Sequence, residues 1–222
     1  MVTRPKRISP RALILDLDGT LVDTESIAAR TWAQTGVDLG IPIPPEMVAE
    51  MTGRRYEDLA AIANKWLGEQ IDGHTLLDAA NLHYHRMTVE EVPDLMPGAI
   101  ELLEAAKKQR VTCIVATSSQ LPNAQQKLRA TGLSEYVVDV LSGDDVPEGK
   151  PAPDIFLAAA KRLKLPPSVC MTVEDSGPGI IGAKAAGTTA VLIPDQAEVT
   201  EAMMEAADYI LESLHDVISL LS

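Results

Sequence analysis

The sequence predicts an α/β protein: a parallel sheet covered by helices on both faces, with a purely helical stretch set into it. Three observations carry this. Short runs of branched aliphatic residues alternate with helical periodicities through the second half of the chain. The first such run, Ala12-Leu13-Ile14-Leu15, is bounded by Pro10 and Gly19 and reads as a buried strand. From Thr24 to about Val92 the alternation stops, and only helix-like segments are found. The chain has 222 residues, 46% of them hydrophobic, enough for a full core. That length suits one large domain or a core domain with a smaller one inserted.

After the strand at 12–15, helices are expected at 25–39, 45–51, 56–67 and 74–90. Pro93 and Pro97 punctuate the return to alternation, and a helix at 98–108 leads into a strand at 111–116. A helix at 122–130 and a short strand at 137–141 follow. The helix at 153–163 carries Asp154 in its first turn, where an acid suits the helix dipole. Then come a strand at 169–174 and a helix at 177–186, closed by Gly187. A strand at 189–193, a helix at 199–206, a short strand at 209–211 and a helix at 214–221 complete the pattern.

The net charge is −13, from 32 acidic and 19 basic residues. No basic stripe is present, which argues against a nucleic-acid surface, and an anionic membrane would repel the protein. Phosphate binding stays compatible, since it needs only a local metal and one or two cations. The basic run Arg4-Pro5-Lys6-Arg7 has no apolar core behind it before Pro10, which predicts a solvated terminus rather than a signal peptide. No apolar run approaches a membrane span. Both monomer and dimer are compatible with this composition.

The first strand exits into Asp16-Leu17-Asp18-Gly19-Thr20. Ligands of open α/β sheets bind at the carboxyl ends of strands. Two aspartates two residues apart on extended chain point the same way. Desolvating them together is costly unless a cation or a shared proton relieves the repulsion. Two further strands also end in polar groups, at Ala116-Thr117-Ser118-Ser119 and at Glu174-Asp175-Ser176-Gly177. Lys150 stands in a loop stiffened by Pro151 and Pro153. Ser, Thr and Asp at such places also commonly cap helices.

These runs, in this order, resemble the motifs of the haloacid dehalogenase-like superfamily, whose phosphotransferases carry Asp-x-Asp-Gly-Thr after the first strand. The resemblance covers about residues 12–193. It implies a Rossmann-like parallel sheet core, residues 1–23 and 93–222, with an inserted helical cap domain at 24–92. That cap position is similar to the subfamily IA branch of β-phosphoglucomutases and phosphoglycolate phosphatases. The function implied is a Mg²⁺-dependent phosphatase acting on a small phosphorylated metabolite, a sugar phosphate in the leading reading.

The resemblance also implies roles. Asp16 is the nucleophile that forms an aspartyl-phosphate, and Asp18 is the general acid and base, a task that needs a raised pKa near neutrality. Thr117 gives a hydroxyl, and Ser118 a backbone N–H, to the phosphoryl group; the pattern assigns Ser119 no fixed role. Lys150 is the fixed cation, a compact charge able to reach both phosphate and nucleophile. Mg²⁺ takes hard oxygen ligands. The implied set is the Asp16 carboxylate, the Asp18 carbonyl and the Asp175 carboxylate, with Glu174 bound directly or through water. In the cap, Thr52-Gly53-Arg54-Arg55-Tyr56 falls where this branch has its specificity loop. Gly53, Arg54 and Arg55 are the substrate-binding candidates there, the arginines serving either as an anion fork or as a solvated pair. His83 and His85 lack a third partner at metal-ligand spacing and read as structural or surface residues.

Two rival functions are compatible with the core. Mutases of the β-phosphoglucomutase type carry a histidine that falls here at Ala28, and a cap arginine that falls at Tyr56. A non-catalytic binding protein on the same fold would usually lack the nucleophile or a metal ligand, and this chain retains both. Dehalogenases lack the second aspartate. In the strand order typical of the superfamily, the first strand lies between the strands holding Cys113 and Cys170. Strands are spaced about 4.8 Å apart, so the two thiols are out of disulfide reach. They read as buried thiols of a cytoplasmic protein.

Overall fold

The structure is a computed structural model that describes residues 9–51, 54, 56–90, 92–194 and 199–221. Six strands form one parallel sheet: β1 (Ala12–Leu15), β2 (Thr112–Ala116), β3 (Val140–Leu141), β4 (Cys170–Glu174), β5 (Thr189–Leu192) and β6 (Tyr209–Ile210). Their spatial order is β3-β2-β1-β4-β5-β6. The order reverses at β1 and β4, and ligands of doubly wound sheets bind in the crevice at such a reversal.

The central strands are apolar on both faces because both faces are covered. Leu13 and Leu15 point into a core with Leu102 and Leu103 of α5 (Ala99–Lys108), Leu128 of α6 (Leu121–Ala130) and Val217 near the C-terminus. Ala12 and Ile14 point the other way, onto Phe156 of α7 (Asp154–Arg162) and Ile180 of α8 (Gly177–Ala185). α9 (Glu201–Ala206) and α10 (Leu214–Ile218) complete the two layers. Cys113 and Cys170 lie on β2 and β4, either side of β1, and are buried and unpaired.

The expected helical stretch forms α1 (Glu25–Leu39), α2 (Pro45–Met51), α3 (Tyr56–Leu67) and α4 (Gly73–Glu90). These helices close on a cluster of their own, with Met47, Met51, Ala63 and Leu76 buried at its centre and Trp32 packed against it. The chain leaves and returns at one place. Asp23 N–H donates to the Asp94 carbonyl at 2.8 Å, and Met96 N–H to that of Leu21 at 3.0 Å.

Two elements fall three residues short of expectation, while several others are one or two residues shorter. Only Val140–Leu141 of 137–141 is regular strand, although Val138 N–H donates to the Cys113 carbonyl of β2 at 2.9 Å; this is a sheet edge, and Val138 is 64% exposed. The last helix ends at Ile218 rather than at residue 221. Short 3-10 turns at Gly68–Gln70, Leu133–Glu135, Gly143–Asp145 and Pro167–Val169 have no hydrophobic period and were not expected.

Candidate active site

Strand register assembles the site. Leu15 pairs with Val115 on one side and Val173 on the other. The next residues, Asp16, Ala116 and Glu174, therefore emerge level, with Thr117 and Asp175 just beyond. Asp16, Asp18, Thr117, Ser118 and Asp175 all line one cavity of about 270 Å³. Its opposite wall comes from the helical insertion, including Ala28, Trp32, Arg54, Tyr56 and Tyr84.

Lys150 is 3% exposed, so it is not a surface lysine. Its ammonium donates to Asp16 Oδ1 at 2.5 Å, to Glu174 Oε1 at 2.5 Å and to the Ala116 carbonyl at 3.2 Å. Those carboxylates hold its pKa up despite burial. Asp16, Glu174 and Asp175 each offer an oxygen within 4.8 Å of the others, and all three are buried. Burial, with help from Glu174 and Asp18, pushes the Asp16 carboxyl up to about 8 against the pull of Lys150. Asp175 is raised by the same causes, burial first and then Asp16 and Glu174. Three buried carboxylates facing one ammonium are a charge surplus that a hard divalent cation would relieve, so the residues present fit Mg²⁺.

Two glycines permit this crowding. A Cβ on Gly19, where φ is +79°, would lie 2.4 Å from Asp175 Oδ2. A Cβ on Gly179 would lie 2.0 Å from the Glu174 carboxyl carbon. Two further carboxylate oxygens are hydrogen-bonded by hydroxyls. Thr20 Oγ1 donates to Asp175 Oδ1 at 2.8 Å, and Ser176 Oγ donates to Glu174 Oε2 at 3.0 Å.

The capping alternatives do not describe these residues. The N-cap of α8 is Ser176, whose Oγ accepts from Gly179 N–H, and not Asp175. The N-cap of α6 is Gln120, without a side-chain cap, and not Thr117, Ser118 or Ser119. Thr117 is 1% exposed, and its Oγ1 donates to Asp18 Oδ2 at 3.3 Å.

Asp18 departs from expectation. Burial raises its pKa, yet the Lys127 ammonium outweighs burial, helped by the Ser119 and Thr24 hydroxyls, and the net shift is downward. Asp18 Oδ1 forms an ion pair with Lys127, and Oδ2 accepts from Ser119 Oγ at 2.7 Å. Sequence reasoning missed Lys127. The signal was available: it lies between Ala124 and Leu128 on the buried face of α6, where a lysine needs a partner.

Arg54 is half-buried on the cavity wall, its Nε donating to the Glu50 carbonyl at 3.2 Å. Gly53 and Arg55 lie outside the described residues, so their expected contacts carry no structural account. His83 is structural: it is buried, with Nε2 3.0 Å from Asp38 Oδ2. His85 is exposed on α4. Among the described residues no helix is long and apolar enough to cross a membrane.

The haloacid dehalogenase-like hydrolase family matches residues 10–187. A bifunctional riboflavin kinase/FMN phosphatase of Arabidopsis thaliana is 30% identical over 215 residues, 96% of this chain; the chain spans only 55% of that relative. A β-phosphoglucomutase of Bacillus subtilis is 30% identical, over 93% of this chain and 94% of its own. The crystal structure of CbbY from Rhodobacter sphaeroides in complex with phosphate superposes with a TM-score of 0.77 at 28% identity, covering 92% of this chain and 95% of that one. The match over most of the length makes this chain an enzyme of the haloacid dehalogenase-like hydrolase family, of the phosphatase type.

Proposed function

We propose that the protein hydrolyses a small phosphorylated metabolite, a sugar phosphate, through an aspartyl-phosphate on Asp16 with Mg²⁺ as cofactor. The observation that carries this reading is Asp16 at a strand exit, 2.5 Å from the buried Lys150 ammonium and clustered with two more buried carboxylates.

Asp16 Oδ attacks phosphorus, forming an O–P bond while the bond from phosphorus to the ester oxygen breaks. Asp18, which Lys127 holds ionised in the free protein, must first take up a proton as the ester binds; it gives that proton to the departing oxygen, then takes one from the water that cleaves the acyl phosphate. Lys150 and the Thr117 hydroxyl hold charge on the equatorial oxygens, and the Ser118 N–H adds a further donor. Asp16, Asp175 and the Asp18 carbonyl would hold Mg²⁺, which supplies charge neutralisation at the phosphoryl oxygens. Both Glu174 oxygens are engaged by Lys150 and Ser176, which supports contact through water rather than direct ligation.

Residues 24–92 act in this reading as a cap on a core made of 1–23 and 93–222. The separate helical cluster and the hydrogen-bonded crossing segments support it. Arg54 on the cavity wall is placed to meet a second anionic group, with Gly53 and Arg55 assigned beside it from the sequence pattern. Unpaired buried thiols support a cytoplasmic setting.

The test is a screen of sugar phosphates, nucleotides and phospho-acids with Mg²⁺, read as released phosphate. Asp16→Asn should remove all but a trace of turnover while leaving the fold intact, because an amide is a far weaker nucleophile. Substantial activity in the folded variant would refute the aspartyl-phosphate route.

A further inference from the structure

Each of the two aspartates at the end of β1 has a buried ammonium of its own. Lys150 serves Asp16, and Lys127 serves Asp18. The mechanism above uses only the first. Lys127 is 4% exposed, and burying an ammonium is costly unless its hydrogen bonds are met. They are met by Asp18 Oδ1, by Ser119 Oγ at 3.3 Å and by Tyr84, whose ring centre lies 5.3 Å away and whose hydroxyl is a further partner.

The arrangement leaves Asp18 little freedom. One carboxylate oxygen is taken by Lys127, the other by Ser119 and Thr117. Those three lie in the single stretch that runs from the end of β2 into α6, and the Thr24 hydroxyl joins them from the start of the helical insertion. Tyr84 also comes from the insertion, on α4. One ammonium therefore touches both the carboxylate that faces the leaving oxygen and the segment that forms the cavity's other wall.

We propose that Lys127 is the positioning residue for Asp18, and that Tyr84 ties this positioning to the placement of α4 against the core. The assignment rests on the phosphatase reading. Lys127 touches no reacting atom; it fixes where the Asp18 carboxyl stands when the ester oxygen leaves. An ester with a poor leaving group depends on that geometry, because its oxygen must receive a proton as the O–P bond breaks. An ester of a strongly acidic phenol does not, since its phenolate leaves unaided.

The test compares kcat/KM, which reports the steps through phosphoryl transfer, for an alkyl ester (a hydrolysed sugar phosphate) and for dinitrophenyl phosphate. Lys127→Met should lose roughly 100-fold or more on the alkyl ester and at least ten times less on the aryl ester, a scale set by general acid catalysis. Lys127→Arg should restore part of the alkyl activity. Tyr84→Leu should shift the same ratio in the same direction, by less. Melting curves establish folding, and if Lys127→Met does not fold, the ratio in Lys127→Arg and Tyr84→Leu decides. Equal losses on both esters, or a change confined to KM, would overturn the assignment and mark Lys127 as a structural or substrate-binding cation. A wild-type protein inert to both esters would overturn the phosphatase reading and this assignment with it.

Discussion

At the scale of residues, the site is a problem in charge. Asp16, Glu174 and Asp175 are buried together, and Lys150 offsets only part of their repulsion. In protein stripped of metal, Asp16 is held up to about 8, far above an unfolded aspartate. A raised carboxyl pKa stabilises the fold fully below the unfolded value, and that contribution is lost as pH rises through about 8. Asp18 runs the other way. Its lowered pKa stabilises above the unfolded value and is lost on acidification. Mg²⁺ needs ionised ligands and must compete with the protons on Asp16 and Asp175. Added Mg²⁺ should therefore raise the melting temperature of chelator-treated protein much more at pH 8 than at pH 5. An equal shift at both would remove these carboxylates from the metal site. Most of this centre was legible, because carboxylates at strand ends have few structural uses. Lys127 was not, since a lone lysine in a helix is ordinary until the fold shows which face it is on. Nor was the lowered pKa of Asp18, which follows from that lysine and reverses what burial alone gives.

At the scale of elements, α8 brings a helix start against the end of β4 closely enough that no side chain fits between. That is the role of Gly179, whose hypothetical Cβ falls within 2.2 Å of three atoms of the Glu174 carboxyl group. Gly179→Ala should destabilise the protein by about 1–3 kcal/mol, the usual cost of overpacking. It should also lower turnover, because Glu174 can yield only by leaving Lys150 or Ser176. Urea denaturation and a rate assay read the two effects. Unchanged stability and rate would mean the backbone accommodates the methyl freely. The central strands were readable because burial on both faces leaves uninterrupted apolar runs, as in Ala12–Leu15. The edge strand Val140–Leu141 was not bounded correctly, since a half-covered edge imposes no such requirement on residues 137–139. The helix limits drifted by one to three residues where the end is set by a backbone turn rather than a cap, as at Ile218.

At the scale of the whole molecule, the question is what the insertion does to water. A mutase must shield its aspartyl-phosphate until a second hydroxyl of the same sugar arrives, whereas a phosphatase admits water as the acceptor. In the proposed mechanism Asp16 and Asp18 would serve both, so the core does not choose; the wall opposite would, as the element placed to control water access and position the acceptor. On that wall is Ala28, which the family resemblance sets at the position of a mutase's histidine, and a methyl group makes no hydrogen bond beside Asp18. Tyr56, where their arginine falls, has its hydroxyl 3.3 Å from Asp78 Oδ1 of α4. The phosphoenzyme should therefore hydrolyse readily, with inorganic phosphate as the main product. The check is incubation with β-glucose 1-phosphate, Mg²⁺ and a trace of the bisphosphate, following glucose 6-phosphate and free phosphate together. Free phosphate should accumulate at least as fast as the isomer. Glucose 6-phosphate forming many times faster would mean that the insertion excludes water without the histidine, and the protein would be a mutase.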